Sequence, residues 1–179
     1  MKYFTPELWA SWSERDYTPP PPEKDPFRLY QAELETLRER IDETAFHFFT
    51  EADVHDGELL DYTIKDGSRP APLGQPGREW ESLRNYPVTV TLRVLDAYDK
   101  LLWTLKYSNV RKVSVSYATE EEPWSGSGFG DWGYHELLDA GDGFLRHEVL
   151  FASDSTLLVE FKSIVVSSQP ARENAQPDS

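Results

Sequence analysis

Tyr86-Pro87-Val88-Thr89-Val90-Thr91-Leu92-Arg93-Val94 opens the stretch that decides the fold class, and alternating segments carry it on to Phe161. Val88, Val90, Leu92 and Val94 point one way, and Thr89, Thr91 and Arg93 the other, the period of two that a half-buried strand requires. Beyond a polar turn at 96–100, Leu101, Trp103, Leu105 and Tyr107 read as the return strand. Asn109 breaks the run, and Val113, Val115 and Tyr117 then alternate with Ser114 and Ser116. After a long loop come Leu145, His147, Val149 and Phe151, a turn at 152–155, and Leu157, Val159 and Phe161 opposite Glu160 and Lys162. Such a series predicts a meandering antiparallel sheet with one covered face.

Upstream, Leu60, Tyr62 and Ile64 alternate with Asp61, Thr63 and Lys65, one more short strand ahead of Asp66-Gly67. Residues 68–77 are rich in Pro and Gly and read as a loop, and 78–86 as room for one helical turn. Asp25-Pro26 starts a helix, and Phe27, Tyr30, Leu34, Leu37, Ile41 and Phe48 form one apolar stripe on it, about six turns long. Thr5-Pro6-Glu7 starts a shorter helix, with Thr5 as N-cap and Trp9 and Trp12 on one side. Pro19 to Pro22 must be extended and polyproline-like, a stiff connector.

The chain has 179 residues, 39% of them hydrophobic and 13% aromatic, enough for one domain with a core. It has no cysteine, which excludes a disulfide framework, a thiolate zinc site and a cysteine nucleophile. Thirty-two acidic residues against 18 basic give a net charge of −14. That charge repels nucleic acid and anionic membranes and attracts a basic protein. No apolar run approaches a membrane span and no h-region opens the chain, so a cytoplasmic location is expected.

Several quoted segments occur in a familiar order. They are Met1-Lys2-Tyr3-Phe4-Thr5, His55-Asp56, Trp103-Thr104-Leu105-Lys106-Tyr107-Ser108-Asn109-Val110, Asp131-Trp132-Gly133-Tyr134 and His147-Glu148-Val149-Leu150-Phe151-Ala152-Ser153. Together they resemble a family of short bacterial cytoplasmic proteins known only as a domain of unknown function. The likeness covers most of the chain and is best over 88–166. It departs in the Pro-rich spacer, the glycine loop and Gly57-Glu58. The resemblance implies one α+β domain and no particular activity.

Candidate chemistry is sparse. His47, Glu51, Asp53, His55 and Asp56 cluster locally, and His47, His55 and Asp56 are the candidate metal ligands, although their spacing matches no established metal motif. His135-Glu136 and His147-Glu148 lack the second histidine of a zincin, since positions 139 and 151 are Asp and Phe. His147 shares a face with Leu145 and Val149 and is expected to be buried. An acidic neighbour such as Asp131 or Glu136 would raise its pKa. Gly126, Gly128 and Gly130 follow three glutamates, which would repel a phosphate, and no Gly-x-Ser-x-Gly elbow is present. Trp124, Phe129, Trp132 and Tyr134 crowd one acidic, Gly-rich segment, a composition suited to protein binding.

The sequence therefore predicts an α+β fold: an antiparallel sheet of five to six strands, one long helix over 26–50 packed on one face, and a short N-terminal helix. Residues 1–25 form the N-terminal helix and polyproline spacer, 26–168 the single domain and 169–179 a disordered polar tail. The expected function is a non-enzymatic protein-interaction module with a basic protein as partner, of which an immunity-type protein is one instance. It needs no cofactor and is a monomer or weak dimer. Its candidate binding residues are Trp124, Trp132, Tyr134, His135, Glu136 and His147. The alternative is a small metal-dependent or hydrolytic enzyme using His55, Asp56 and His147, which requires those side chains to converge in one pocket.

Overall fold

Two aspartates divide what the apolar spacing presents as one helix. In the computed structural model, which describes residues 1–12, 15–67, 88–118 and 128–171, α1 covers Pro6–Trp12. Asp25 Oδ1 accepts the Phe27 N–H at 3.0 Å and starts α2, Pro26–Thr36. Leu37 then turns to φ −98°, ψ −3°, a 3-10 turn takes Arg38–Arg40, and Ile41 is extended. Asp42 Oδ1 accepts the Ala45 N–H at 2.8 Å and starts α3, Glu43–Glu51. A side chain that caps a backbone N–H begins a new helix rather than continuing the old one. The single long helix is thus corrected to α2 and α3. The change of direction buries Phe46, Phe48 and Phe49 together, and it leaves Phe27 52% exposed.

Among the described residues eight strands form one antiparallel sheet, where five to six were expected. They are β1 Gly57–Asp66, β2 Val88–Leu95, β3 Leu101–Ser108, β4 Lys112–Ser116, β5 Asp131–Gly141, β6 Phe144–Phe151, β7 Thr156–Phe161 and β8 Ser163–Pro170. The order across the sheet is β4-β7-β6-β5-β1-β2-β3-β8. The two additional strands are β5 and β8. β5 is buried toward both faces over much of its length, so its sequence does not alternate. β8 alternates only at Ile164 and Val166 among serines, and it runs through Pro170, past the expected start of the tail at 169. The β5–β6 hairpin turns at Asp142-Gly143, both with positive φ, as a two-residue hairpin loop of this kind demands.

β7 and β8 are separated by Lys162 alone, yet they pair with opposite regions of the sheet, β7 with β6 and β8 with β3. The sheet must therefore curl until β3 meets the β7–β8 junction. The Lys162 N–H donates to Ser108 O at 3.2 Å, and the Tyr107 and Phe161 rings lie 4.8 Å apart. The concave side holds Tyr107, Trp132, Phe151, Phe161 and several leucines, all fully buried, and α3 lays Phe48 and Phe49 onto it. The apolar stripe of α2 and α3 is spent on this core. Among the described residues no helix is long and apolar enough to cross a membrane.

Candidate functional site: a cleft where the sheet parts

β5 runs with β6 along its length but with β1 at only two positions, Gly57 opposite Trp132 and Glu58 opposite Asp131. Past Trp132 the free edge of β5 is served by other groups. His55 Nδ1 donates to Gly133 O at 2.8 Å, the Leu137 N–H donates to the Tyr30 hydroxyl at 3.0 Å, and the first residues of the chain lie along Glu136. A cleft of about 310 Å³ opens there. Phe4, Phe49, Val54, His55, Tyr134 and His135 are among its walls, and Asp53 stands at its edge. Trp9 and Trp12 of α1 pack edge-on to Tyr134, with centroids 5.3 and 5.0 Å away. Gly133 admits this packing, since a Cβ there would lie 2.4 Å from the Trp9 ring and 2.7 Å from Leu150 O. A larger hollow of about 610 Å³ lies by β1, β3 and β8, but its ionisable groups are Arg93, already paired to Asp61 at 2.8 Å, and Asp99. The smaller cleft has the richer chemistry.

From the half-buried His135 on its floor a polar chain runs into the core. His135 Nδ1 and His147 Nε2 are 3.1 Å apart, and His147 Nδ1 is 2.6 Å from the Tyr107 hydroxyl. Phe49 stacks on His135 at 5.5 Å and meets His147 edge-on at 5.0 Å. Burial pushes His135 down to about 3 and holds His147 well below the ordinary histidine value. The acidic partner anticipated for His147 is corrected: its partners are a phenol and an imidazole, and its pKa moves down, not up.

The candidate residues separate into two groups. Tyr134 and His135 line the cleft. Trp132 and His147 are fully buried inside the curl and Glu136 is fully buried under the first residues of the chain, so none of the three presents a binding surface. Trp124 and the glutamates at 120–122 lie outside the described residues. His55 and Asp56 are at the cleft mouth, Nε2 to Oδ1 3.6 Å, while His47 pairs with Glu51 at 3.2 Å on α3. Among the described residues no three such side chains are grouped to hold a metal ion. His55, Asp56 and His147 do not converge, since His147 lies behind His135. Phe4, Phe49 and Tyr107 were not read as site residues from the sequence. Nothing local marks them, because their roles depend on pairing distant strands.

Trp132 carries the one buried side-chain nitrogen or oxygen without a hydrogen-bond partner among the described residues, its indole Nε1. Trp132→Phe deletes that donor and leaves a modest void, and the two effects oppose each other. The expected change in urea-unfolding stability is within about 1 kcal/mol, against about 3–5 for truncating a large core aromatic to alanine. A loss above that level would mean the indole N–H is bonded in solution.

A scan of protein-family models, a search of curated proteins and a search of solved structures each gave no match.

Proposed function

We propose that this protein is a non-enzymatic binding module whose cleft between β5, α2 and α3 takes an apolar anchor from a basic protein partner. The observation that carries the reading is the parting of β1 from β5, which leaves an aromatic-walled cleft at the surface rather than closed sheet. Concave apolar sites with a few convergent polar groups are the usual form of a binding pocket. The partner's charge is argued from complementarity: the chain carries −14, and Asp53 and Asp56 are exposed beside the cleft. Neutralisation of a basic toxin, a cytoplasmic setting and a monomeric or weakly dimeric state belong to the same proposal. The family resemblance in the sequence adds no activity to it.

A lysine-flanked phenylalanine peptide is the direct probe. It is expected to shift the NMR signals of Gly133, Tyr134 and His55 and to bind less tightly as salt is raised. A glutamate-flanked counterpart is expected not to bind. Ala52→Phe, which fills the cleft, should abolish the shifts while the fold persists by circular dichroism. Equal binding of both peptides, or of neither, would remove the reading.

A further inference from the structure

We infer that Tyr107, acting through His147, holds His135 as a hydrogen-bond donor to the cleft, so that the anchor seated there must bring a neutral carbonyl oxygen. This rests on the cleft being a binding site.

The argument begins at the buried end of the chain. The Tyr107 hydroxyl has one partner among the described residues, His147 Nδ1 at 2.6 Å. Burial pushes the phenol up, so it keeps its proton, and a buried O–H needs an acceptor. His147 Nδ1 must supply that lone pair. Burial keeps the ring neutral, so its one proton sits on Nε2 and is donated to His135 Nδ1 at 3.1 Å. His135, neutral for the same reason, then has its proton on Nε2.

That Nε2 has no partner among the described residues. Yet the buried polar atom left unpaired there is Trp132 Nε1 and no other, so His135 Nε2 is reached from outside. The opening its ring lines is the cleft. The opposite polarity would place a lone pair on the floor and strand the phenol proton in the core. Tyr107 is therefore a positioning residue that sets the sign of a hydrogen bond two rings away.

A donor on the floor selects an acceptor. A carboxylate is disfavoured by Asp53, Asp56 and the net negative charge, which leaves an uncharged carbonyl, such as a peptide or side-chain amide.

The experiment has two parts. Long-range ¹⁵N–¹H spectra of the imidazoles report the tautomers in the free protein. The expected result is the Nε2–H form at both His135 and His147, with Tyr107→Phe altering His147. An Nδ1–H form of His135 overturns the inference. Phenylacetamide, phenylacetate and toluene are then titrated as probes. Phenylacetamide is expected to bind roughly fivefold to tenfold tighter than the other two, the worth of one neutral hydrogen bond. Tyr107→Phe should reduce that preference. Toluene binding as tightly as the amide overturns the inference but leaves the cleft reading standing. If no probe shifts any cleft signal, the cleft reading falls, and the inference with it.

Discussion

Lowering the pH from 7 to 5 is expected to remove about 2 kcal/mol of folding stability through His135, and His147 adds to the loss in the same direction. His135 and His147 have folded pKa values below the ordinary 6.5, the first pushed down to about 3 by burial, the second well below by burial and then by its neighbour His135. In the window between the folded and unfolded values the unfolded chain binds protons that the folded one refuses, so stability falls as pH falls. His135 contributes about 1.4 kcal/mol per pH unit once the unfolded histidine is mostly protonated. Glu136 acts with the opposite sign. Burial raises it, so the folded state keeps a proton that the unfolded state gives up above 4.5, and it offsets part of the slope at the acid end. Urea midpoints from pH 7 to 5.5 read the histidine slope, and His135→Gln should reduce it. A midpoint that stays level over that interval would refute two buried neutral rings. Since whole domains are stable by about 5–15 kcal/mol, the effect is a large fraction of the total.

Glu136→Ala is the second large effect, with an expected loss of about 3–5 kcal/mol. The carboxylate is fully buried. It accepts from the backbone N–H groups of Lys2 and Tyr3, the latter at 2.9 Å, and lies 3.9 Å from the Met1 amino group. That amino group is 2.7 Å from Glu148, which stands opposite Glu136 in the β5–β6 register. Two carboxylates side by side on neighbouring strands repel, and the ammonium between them relieves the repulsion. Glu148 continues to Arg146 at 3.2 Å, and Arg146 to Glu160 at 3.0 Å. Truncation strands two main-chain donors and frees the arm that carries Phe4 into the cleft wall. Equilibrium unfolding gives the magnitude, and hydrogen exchange at Lys2 and Tyr3 gives the local release. A loss below 1 kcal/mol would show that the arm is held by Phe4 and Tyr3 packing alone.

Half-buried strands were legible in the sequence because their outward residues are polar. β2, β3 and β7 follow the expected alternation, β4 and β6 fall where the apolar residues repeat by two, and β1 falls there too although its Leu60, Tyr62 and Ile64 are exposed rather than covered. β5 was not legible because Trp132, Glu136, Leu137 and Leu138 are all buried, and a strand covered on both faces loses the pattern. Asp142-Gly143 was its visible trace, a hairpin turn that demands a strand on each side. The stripe on α2 and α3 correctly marked Tyr30, Leu34, Leu37 and Phe48 as core, but Asp42 as a second N-cap was missed. The surroundings expected for His147 differ from those it has. A neighbour in sequence, Glu136 beside His135, points to the opposite face of the strand. The ring that meets His147 is Tyr107 on β3, forty positions away. Sequence proximity carries little information about partners in a curled sheet.

The single residue between β7 and β8 also governs the order in which the chain is able to fold. β3 is synthesised well before β8, the strand that covers its edge, and β4 to β7 must emerge in between. Until then Leu101 to Ser108 presents an open ladder of N–H and C=O groups, a template for pairing with another chain. Closure waits for contacts of long sequence separation, which slows folding and prolongs that exposure. The seam that completes the curl is therefore also where a nascent chain is most in need of protection.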